Sequence, residues 1–150
     1  MSNILLEDIF NVKEINPDGD YFEIVSRIVA TSESYEMEMY LDINTQLYPV
    51  EENSKFTIVL ASSLFNEVDR DPEEYIRQDF SAPGSLADKF EYVMFGRIFK
   101  CEEEERDKLT LYVSFGGLLM RLKGEARNLE GIEIDNRIYL LMRRSGVLDL

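Results

Sequence analysis

The stretch Leu109–Gly124, LTLYVSFGGLLMRLKG, constrains what this chain can fold into more than any other. Leu109, Leu111, Val113 and Phe115 alternate with Thr110, Tyr112 and Ser114, the period of a strand with one dry face. Beyond Gly116-Gly117 the alternation resumes, with Leu118, Met120 and Leu122 opposing Leu119, Arg121 and Lys123. A glycine pair admits the positive φ of a two-residue hairpin turn, or a kink where a sheet folds over. Either geometry sets two strands side by side, apolar on one face and mixed leucine and cation on the other.

The rest of the chain repeats the pattern. Strand-like segments fall at Asn3–Ile15, Phe22–Ala30, Glu36–Asn44, Lys55–Ser62, Tyr92–Cys101 and Arg137–Arg144, and the two arms above bring the total to eight. The clearest is Glu36–Asn44, where Met37, Met39, Leu41 and Ile43 interleave with Glu36, Glu38, Tyr40 and Asp42. Asn16-Pro17-Asp18-Gly19 and the charged run Glu102–Asp107 read as turns, and Glu125–Leu129 as one helical turn ended by Gly131. Residues 66–84 hold six acids, two prolines and few aliphatics, the composition of a long mobile surface loop. Short strands without a sustained helical period predict one all-β domain, a sandwich or a barrel. An antiparallel barrel is preferred, because closure removes exposed edges and several strands are apolar on both sides. LLMRLKG at 118–124 is faintly echoed by LLMRRSG at 140–146; shared strand-and-turn constraints explain this more simply than duplication.

A chain of 150 residues buries a sizeable core without disulfides. The composition, 45% hydrophobic and 31% charged, is that of a soluble globular protein. No apolar run reaches the ~20 residues needed to span a bilayer, and MSNILLEDIF carries acids where a secretion signal carries cations. An intracellular protein is expected, and the single cysteine, Cys101, fits a reducing compartment. The formal charge of −14, from 30 acids and 16 bases, opposes autonomous binding to phosphate backbones and favours basic protein partners. Between Arg121 and Arg144, however, six cations meet four acids, leaving room for a local basic or neutral face.

Histidine is absent, which excludes Ser-His-Asp and Cys-His catalysis and zinc sites built on histidine. Asp69, Asp71, Glu73 and Glu74 lack the glycine and glutamate spacing of a calcium loop and read as solvated acids. Gly116-Gly117 lacks the frame of a phosphate cradle and reads as a turn. Carboxylate pairs abound, but no apolar pocket that would raise the pKa of one is legible. Cys101 lies among acids, which raise a thiol pKa. No catalytic residue, metal ligand or cofactor site is therefore expected, and the chain reads as a non-enzyme. Tyr92, Phe95, Phe99, Tyr112 and Phe115 fit either the stacking platform of an OB-type barrel for single strands or plain core and rim packing, and packing is the simpler reading.

Six blocks carry a resemblance: Ile4–Lys13 ILLEDIFNVK, Leu41–Val50 LDINTQLYPV, Ile58–Ser63 IVLASS, Phe90–Gly96 FEYVMFG, Val113–Gly124 VSFGGLLMRLKG and Tyr139–Arg144 YLLMRR. In this order, over nearly the whole chain, they resemble the small common subunit of eukaryotic RNA polymerases I, II and III, eighth in the conventional subunit order. The acidic segment 66–84 and the tail 145–150 depart from it. The resemblance implies an eight-stranded antiparallel barrel with an OB-like fold and no catalytic residues, metal or cofactor. It implies docking outside the enzyme on the largest subunit near its pore, a role in assembly and stability, and a nuclear location including the nucleolus. Motif and strand alternation together place the partner surface at Gly116, Gly117, Leu119 and Arg121, with Tyr92, Met94 and Tyr112 beside it. The alternative, of a different class, is a free-standing OB-type module that binds single-stranded nucleic acid; it requires a cationic groove.

Overall fold

The computed structural model describes residues 4–17, 24–64 and 85–145. Among them the strands are β1 (Ile4–Ile15), β2 (Val25–Ser32), β3 (Glu38–Asn44), β4 (Lys55–Ala61), β5 (Tyr92–Glu104), β6 (Lys108–Phe115), β7 (Leu118–Glu125) and β8 (Arg137–Arg144). All neighbouring pairs are antiparallel. The sheet closes on itself in the order β1-β2-β3-β7-β6-β5-β8-β4, the expected eight-stranded barrel and consistent with an OB-like fold. The acidic segment 66–84, residues 146–150 of the tail, Asn3 of the first predicted strand, Asp18 and Gly19 of the predicted turn, and Phe22 and Glu23 of the second predicted strand lie outside the described residues.

Alternation decides which side chains fill the barrel. Phe10, Val12, Ile28, Ala30, Met39, Leu41, Phe56, Ile58, Ile98, Leu111, Val113, Met120, Leu122, Leu140 and Met142 all point inward and are buried. The interior is thus a packed apolar core rather than a channel. Strands β4 and β8 are apolar on both faces for a second reason. Their outward residues Val59, Ala61, Tyr139 and Leu141 form a separate cluster with Leu64, and Leu86, Ala87, Phe90 and Val93 pack over it. A 3-10 turn at Leu86–Lys89, absent from the sequence expectations, supplies part of that cover. Its first orphan amides are served by Ser85, whose Oγ accepts from the Ala87 N–H at 3.0 Å.

Several boundaries differ from expectation: β2 runs on to Ser32 rather than ending at Ala30, β3 starts at Glu38 rather than Glu36, and β4 ends at Ala61 rather than Ser62. Glu102–Glu104, expected in a turn, continue β5, opposite Thr110, Leu109 and Lys108. The turn itself is confined to 105–107, where Arg106 and Asp107 take positive φ. The ladder persists because a bulge between Ile98 and Lys100 re-aims the acids beside neutral and cationic partners, and Thr110 Oγ1 donates to Glu104 at 3.1 Å. The helical turn expected at 125–129 is a 3-10 turn at Ala126–Leu129 that buries Leu129. Gly96 is required by close approach: a Cβ there would sit 2.2 Å from the Ser114 carbonyl oxygen and 2.7 Å from the Phe115 ring.

One end of the barrel is tied by a mixed polar and aromatic group. Tyr48 stacks on Tyr92 with centroids 5.1 Å apart and donates its hydroxyl to Glu91 Oε1 at 2.5 Å. The same carboxylate receives the Arg144 backbone N–H at 2.9 Å and its guanidinium at 3.3 Å, while Arg144 also lies over the Tyr48 ring. Burial is the largest influence on the Glu91 carboxyl and pulls its pKa upward, but the bonds from Tyr48 and Arg144 together outweigh it and hold the group below its ordinary 4.5.

Two predictions follow from this packing. Leu122 is fully buried, so Leu122→Ala destabilises the domain by about 2–5 kcal/mol in denaturant titration. A carboxyl whose pKa is lowered on folding stabilises fully above its unfolded pKa and loses that stabilisation as pH falls through the folded value. Glu91→Gln therefore lowers the denaturation midpoint at neutral pH and makes its decline between about pH 5 and 3 shallower than in the wild type.

Candidate partner interface

The β6–β7 hairpin is built as the sequence predicts. Register runs unbroken from Lys108 opposite Glu125 to Phe115 opposite Leu118. Gly116 and Gly117 take φ of 65° and 106°, values L-residues rarely adopt, although a Cβ at either would meet nothing within 4 Å. The glycines are thus required by backbone conformation rather than by crowding. The Gly117 N–H donates to Ser114 Oγ at 3.2 Å and fixes the tip.

The outward face of this hairpin carries a continuous row. Tyr112 pairs with Arg121, and Arg121 with Tyr40 of β3. The Arg121 guanidinium lies 4.4 Å from the Tyr40 ring centroid, and Lys100 covers the Tyr112 ring at 5.2 Å. Phe99, at the β5 bulge, flanks Tyr112 with centroids 6.2 Å apart. Lys100 is itself paired with Glu102 at 3.0 Å. Leu119, opposite Ser114, leaves 40% of its surface exposed beside the row. A protein surface that presents tyrosine and arginine together has the composition of interface anchors, and the exposed Leu119 adjoins them.

Asp42 holds this face in place, and the sequence reading did not single it out. It is buried although it belongs to the wet side of β3. Arg27 Nε and NH2 donate to its two oxygens at 2.7 and 3.1 Å, and the Leu119 backbone N–H donates to Oδ2 at 3.0 Å. The β3–β7 pairing covers only Glu38–Leu41 against Met120–Lys123, so the Asp42 carboxylate continues the seam where the ladder stops. The signal available in sequence was an acid flanked by Leu41 and Ile43 in an apolar run, with a cation in the preceding strand.

Five of the seven expected interface residues, Tyr112, Gly116, Gly117, Leu119 and Arg121, come together here. Tyr92 and Met94 do not. Position parity on β5 turns Tyr92, Met94, Gly96 and Ile98 inward, and Val93, Phe95, Arg97 and Phe99 outward. Met94 is buried in the core. Tyr92 is half-buried, its oxygen accepting the Asn44 N–H at 3.0 Å, and burial raises its pKa against that bond. Of the aromatic residues weighed as a stacking platform, Phe115 is likewise core, whereas Phe95 and Phe99 are exposed.

Other possible sites are engaged or sparse. An open cavity of about 300 Å³ is lined by Pro49, Glu51, Ser54, Lys55, Phe56, Arg144 and Ser145, but Lys55 pairs with Glu33 and Arg144 with Glu91. Among the described residues no three His, Cys, Asp or Glu side chains converge as metal ligands would. Burial first, and then Glu103, raises the Cys101 thiol pKa, against use as a nucleophile.

The model of the family described as RNA polymerase Rpb8 matches residues 7–144, a span that takes in part or all of each of the eight strands. The chain belongs to this family. The subunit rpabc3 of DNA-directed RNA polymerases I, II and III of Dictyostelium discoideum is 49% identical over 146 residues, covering 97% of this chain and 100% of that protein. The subunit RPABC3 of Saccharomyces cerevisiae is 40% identical over 148 residues, covering 96% and 100%. The probable RPABC3 of Caenorhabditis briggsae is 44% identical over 149 residues, covering 97% and 99%. The Rpb8 resemblance of the six sequence blocks thus extends over the barrel as a whole.

The Asp42 arrangement yields a prediction. Asp42→Ala orphans the Leu119 amide and frees Arg27, and destabilises the domain by about 1–3 kcal/mol in urea titration, with faster hydrogen exchange at the Leu119 amide than at Met120.

Proposed function

We propose that this chain is a non-catalytic structural subunit shared by nuclear RNA polymerases I, II and III, acting in their assembly and stability. The observation that carries the reading is the Rpb8 family match along the entire barrel, at 40–49% identity to subunits named for those three enzymes. A barrel whose interior is filled with packed apolar side chains suits a scaffold better than a reaction site. The enzymes named are nuclear, and polymerase I would take the chain to the nucleolus.

The docking face is the outward side of β6–β7 and β3, and its target is the largest polymerase subunit. Arg121, Tyr112 and Tyr40 supply the anchors, Leu119 the exposed apolar contact, and Gly116-Gly117 a tip that a partner backbone can approach closely. The alternative of a free single-strand binder is opposed by the charge of −14, since affinity for nucleic acid rests on cations that displace counterions.

Arg121→Glu tests the assignment. Arg121 is exposed and stacked on Tyr40, so its loss costs the isolated fold no more than about 1 kcal/mol. Co-purification of the largest subunit with the tagged chain falls about tenfold or more, as for a reversed interface arginine. Wild-type capture by a folded Arg121→Glu variant rejects this face. Submicromolar binding of the free chain to single-stranded RNA at physiological salt would favour the nucleic-acid module instead.

A further inference from the structure

On the outer face of the barrel, β5 and β8 set Arg97 directly opposite Arg137. Both are exposed. Among the described residues no carboxylate lies within ion-pair distance of either, while Arg27, Lys55, Lys100, Arg127 and Arg144 each hold one. Like charges directly opposite on neighbouring strands repel, so this juxtaposition weakens the free barrel. It does so in a chain with 30 acids, where pairing partners are abundant.

The flanks of the pair are aromatic. Phe95 and Phe99 share the outward face of β5 with Arg97 and are 43% and 50% exposed. The Phe95 ring packs on Tyr139, two residues along β8 from Arg137, with centroids 4.7 Å apart. Two guanidinium groups between exposed rings can take carboxylates bidentately while the rings cover adjoining apolar surface. Arginine and aromatic side chains are also the residues that concentrate binding energy at protein interfaces.

We propose that Phe95, Arg97, Phe99 and Arg137 form a second docking patch, whose partner is an acidic protein segment. Its Asp or Glu side chains lie on the arginine pair and its apolar residues on the two phenylalanines. Charge complementarity selects that occupant: the pair is a concentrated positive charge that, among the described residues, no carboxylate meets at ion-pair distance. A phosphate backbone fits less well, because two cations neutralise few phosphates and the remaining charge of the chain repels them. The patch borders the face that carries Leu119 and Arg121, with Phe99 against Tyr112 and Ser114 between Arg97 and Leu119, but its arginine pair lies on the β5–β8 side, and it stands whether or not the first face meets the largest subunit.

The test pairs stability with crosslinking. In the purified free chain, Arg97→Thr and Arg137→Thr each raise Tm by about 1–3 °C through relief of the repulsion, and the gain shrinks at high salt. In cells where a tagged copy replaces the endogenous one, a photo-crosslinking phenylalanine analogue at position 95 reports on the patch in the assembled complex, and one at position 119 reports on the first face. The expected adduct at 95 is a protein peptide rich in Asp and Glu. Its yield falls about tenfold or more in the Arg97→Glu/Arg137→Glu variant and returns when the partner acids are changed to arginine, while the adduct at 119 persists. A fall in Tm for both single variants, an adduct only with nucleic acid or with a peptide lacking acids, no adduct at 95, or a yield indifferent to charge reversal would each overturn the proposal. Loss of the adduct at 119 alone would count against the first face and leave this patch standing.

Discussion

Barrel closure is the constraint on which the rest of this molecule depends. Because β1 pairs with β2 along one edge and β4 along the other, and β7 joins β3, the sheet has no free edge to be covered. Every strand residue is then committed to the inside or the outside, and a shift of one position would exchange core for surface along a whole strand. The weakest part of that closure is the short β3–β7 seam, and it is there that a buried carboxylate, Asp42, replaces missing backbone bonds. A second carboxylate, Asp8, does comparable work at the turn after β2, accepting backbone N–H groups from Ile9, Ser34 and Tyr35. Both acids are buried because the geometry of closure leaves amides to satisfy.

The strand order also divides the barrel into equivalent halves. β1 lies between β2 and β4 as β5 lies between β6 and β8, and the halves meet at β3–β7 and β4–β8. In that scheme β7 corresponds to β3, and β8 to β4. The sequence echo between 118–124 and 140–146 instead links β7 to β8, which occupy unlike positions. The echo therefore does not trace the symmetry of the fold, in keeping with its origin in strand and turn requirements shared by any outward-cationic segment.

What the sequence disclosed depended on whether local pattern alone sets the outcome. The β6–β7 hairpin was fully legible, since alternation gives its faces and Gly116-Gly117 its turn. The wet and dry sides of β3 were legible too, with Asp42 the exception. Tyr92 and Met94 were misassigned to a surface because FEYVMFG contains apolar or aromatic residues on both faces, and only the β5–β8 register, Tyr92 opposite Met142 and Met94 opposite Leu140, settles which face is inside. The reverse applies to Val59, Tyr139 and Leu141: their burial comes from the cover by Leu86 and Phe90, a contact distant in sequence. Glu102–Glu104 illustrate a third limit, because an acidic run carries turn-like composition while the ladder to β6 makes it strand.

The distribution of charge connects the fold to its use. A net −14 would make any uniformly charged surface unsuited to an acidic partner, yet strand alternation sorts cations as strictly as it sorts apolar residues. On the outward sides of β5 and β7, which flank β6, it gathers Arg97, Lys100, Arg121 and Lys123 within a few rows, and Arg137 joins them from β8. Of these, Lys100 is paired with Glu102 and Arg121 lies over the Tyr40 ring. Among the described residues Arg97 and Arg137 have neither arrangement. Screening confines each charge to about 8–10 Å at physiological salt, so a contacting surface meets these local cations rather than the distant acids. That separation of scale lets one small barrel be acidic to solvent at long range and cationic on these outward faces.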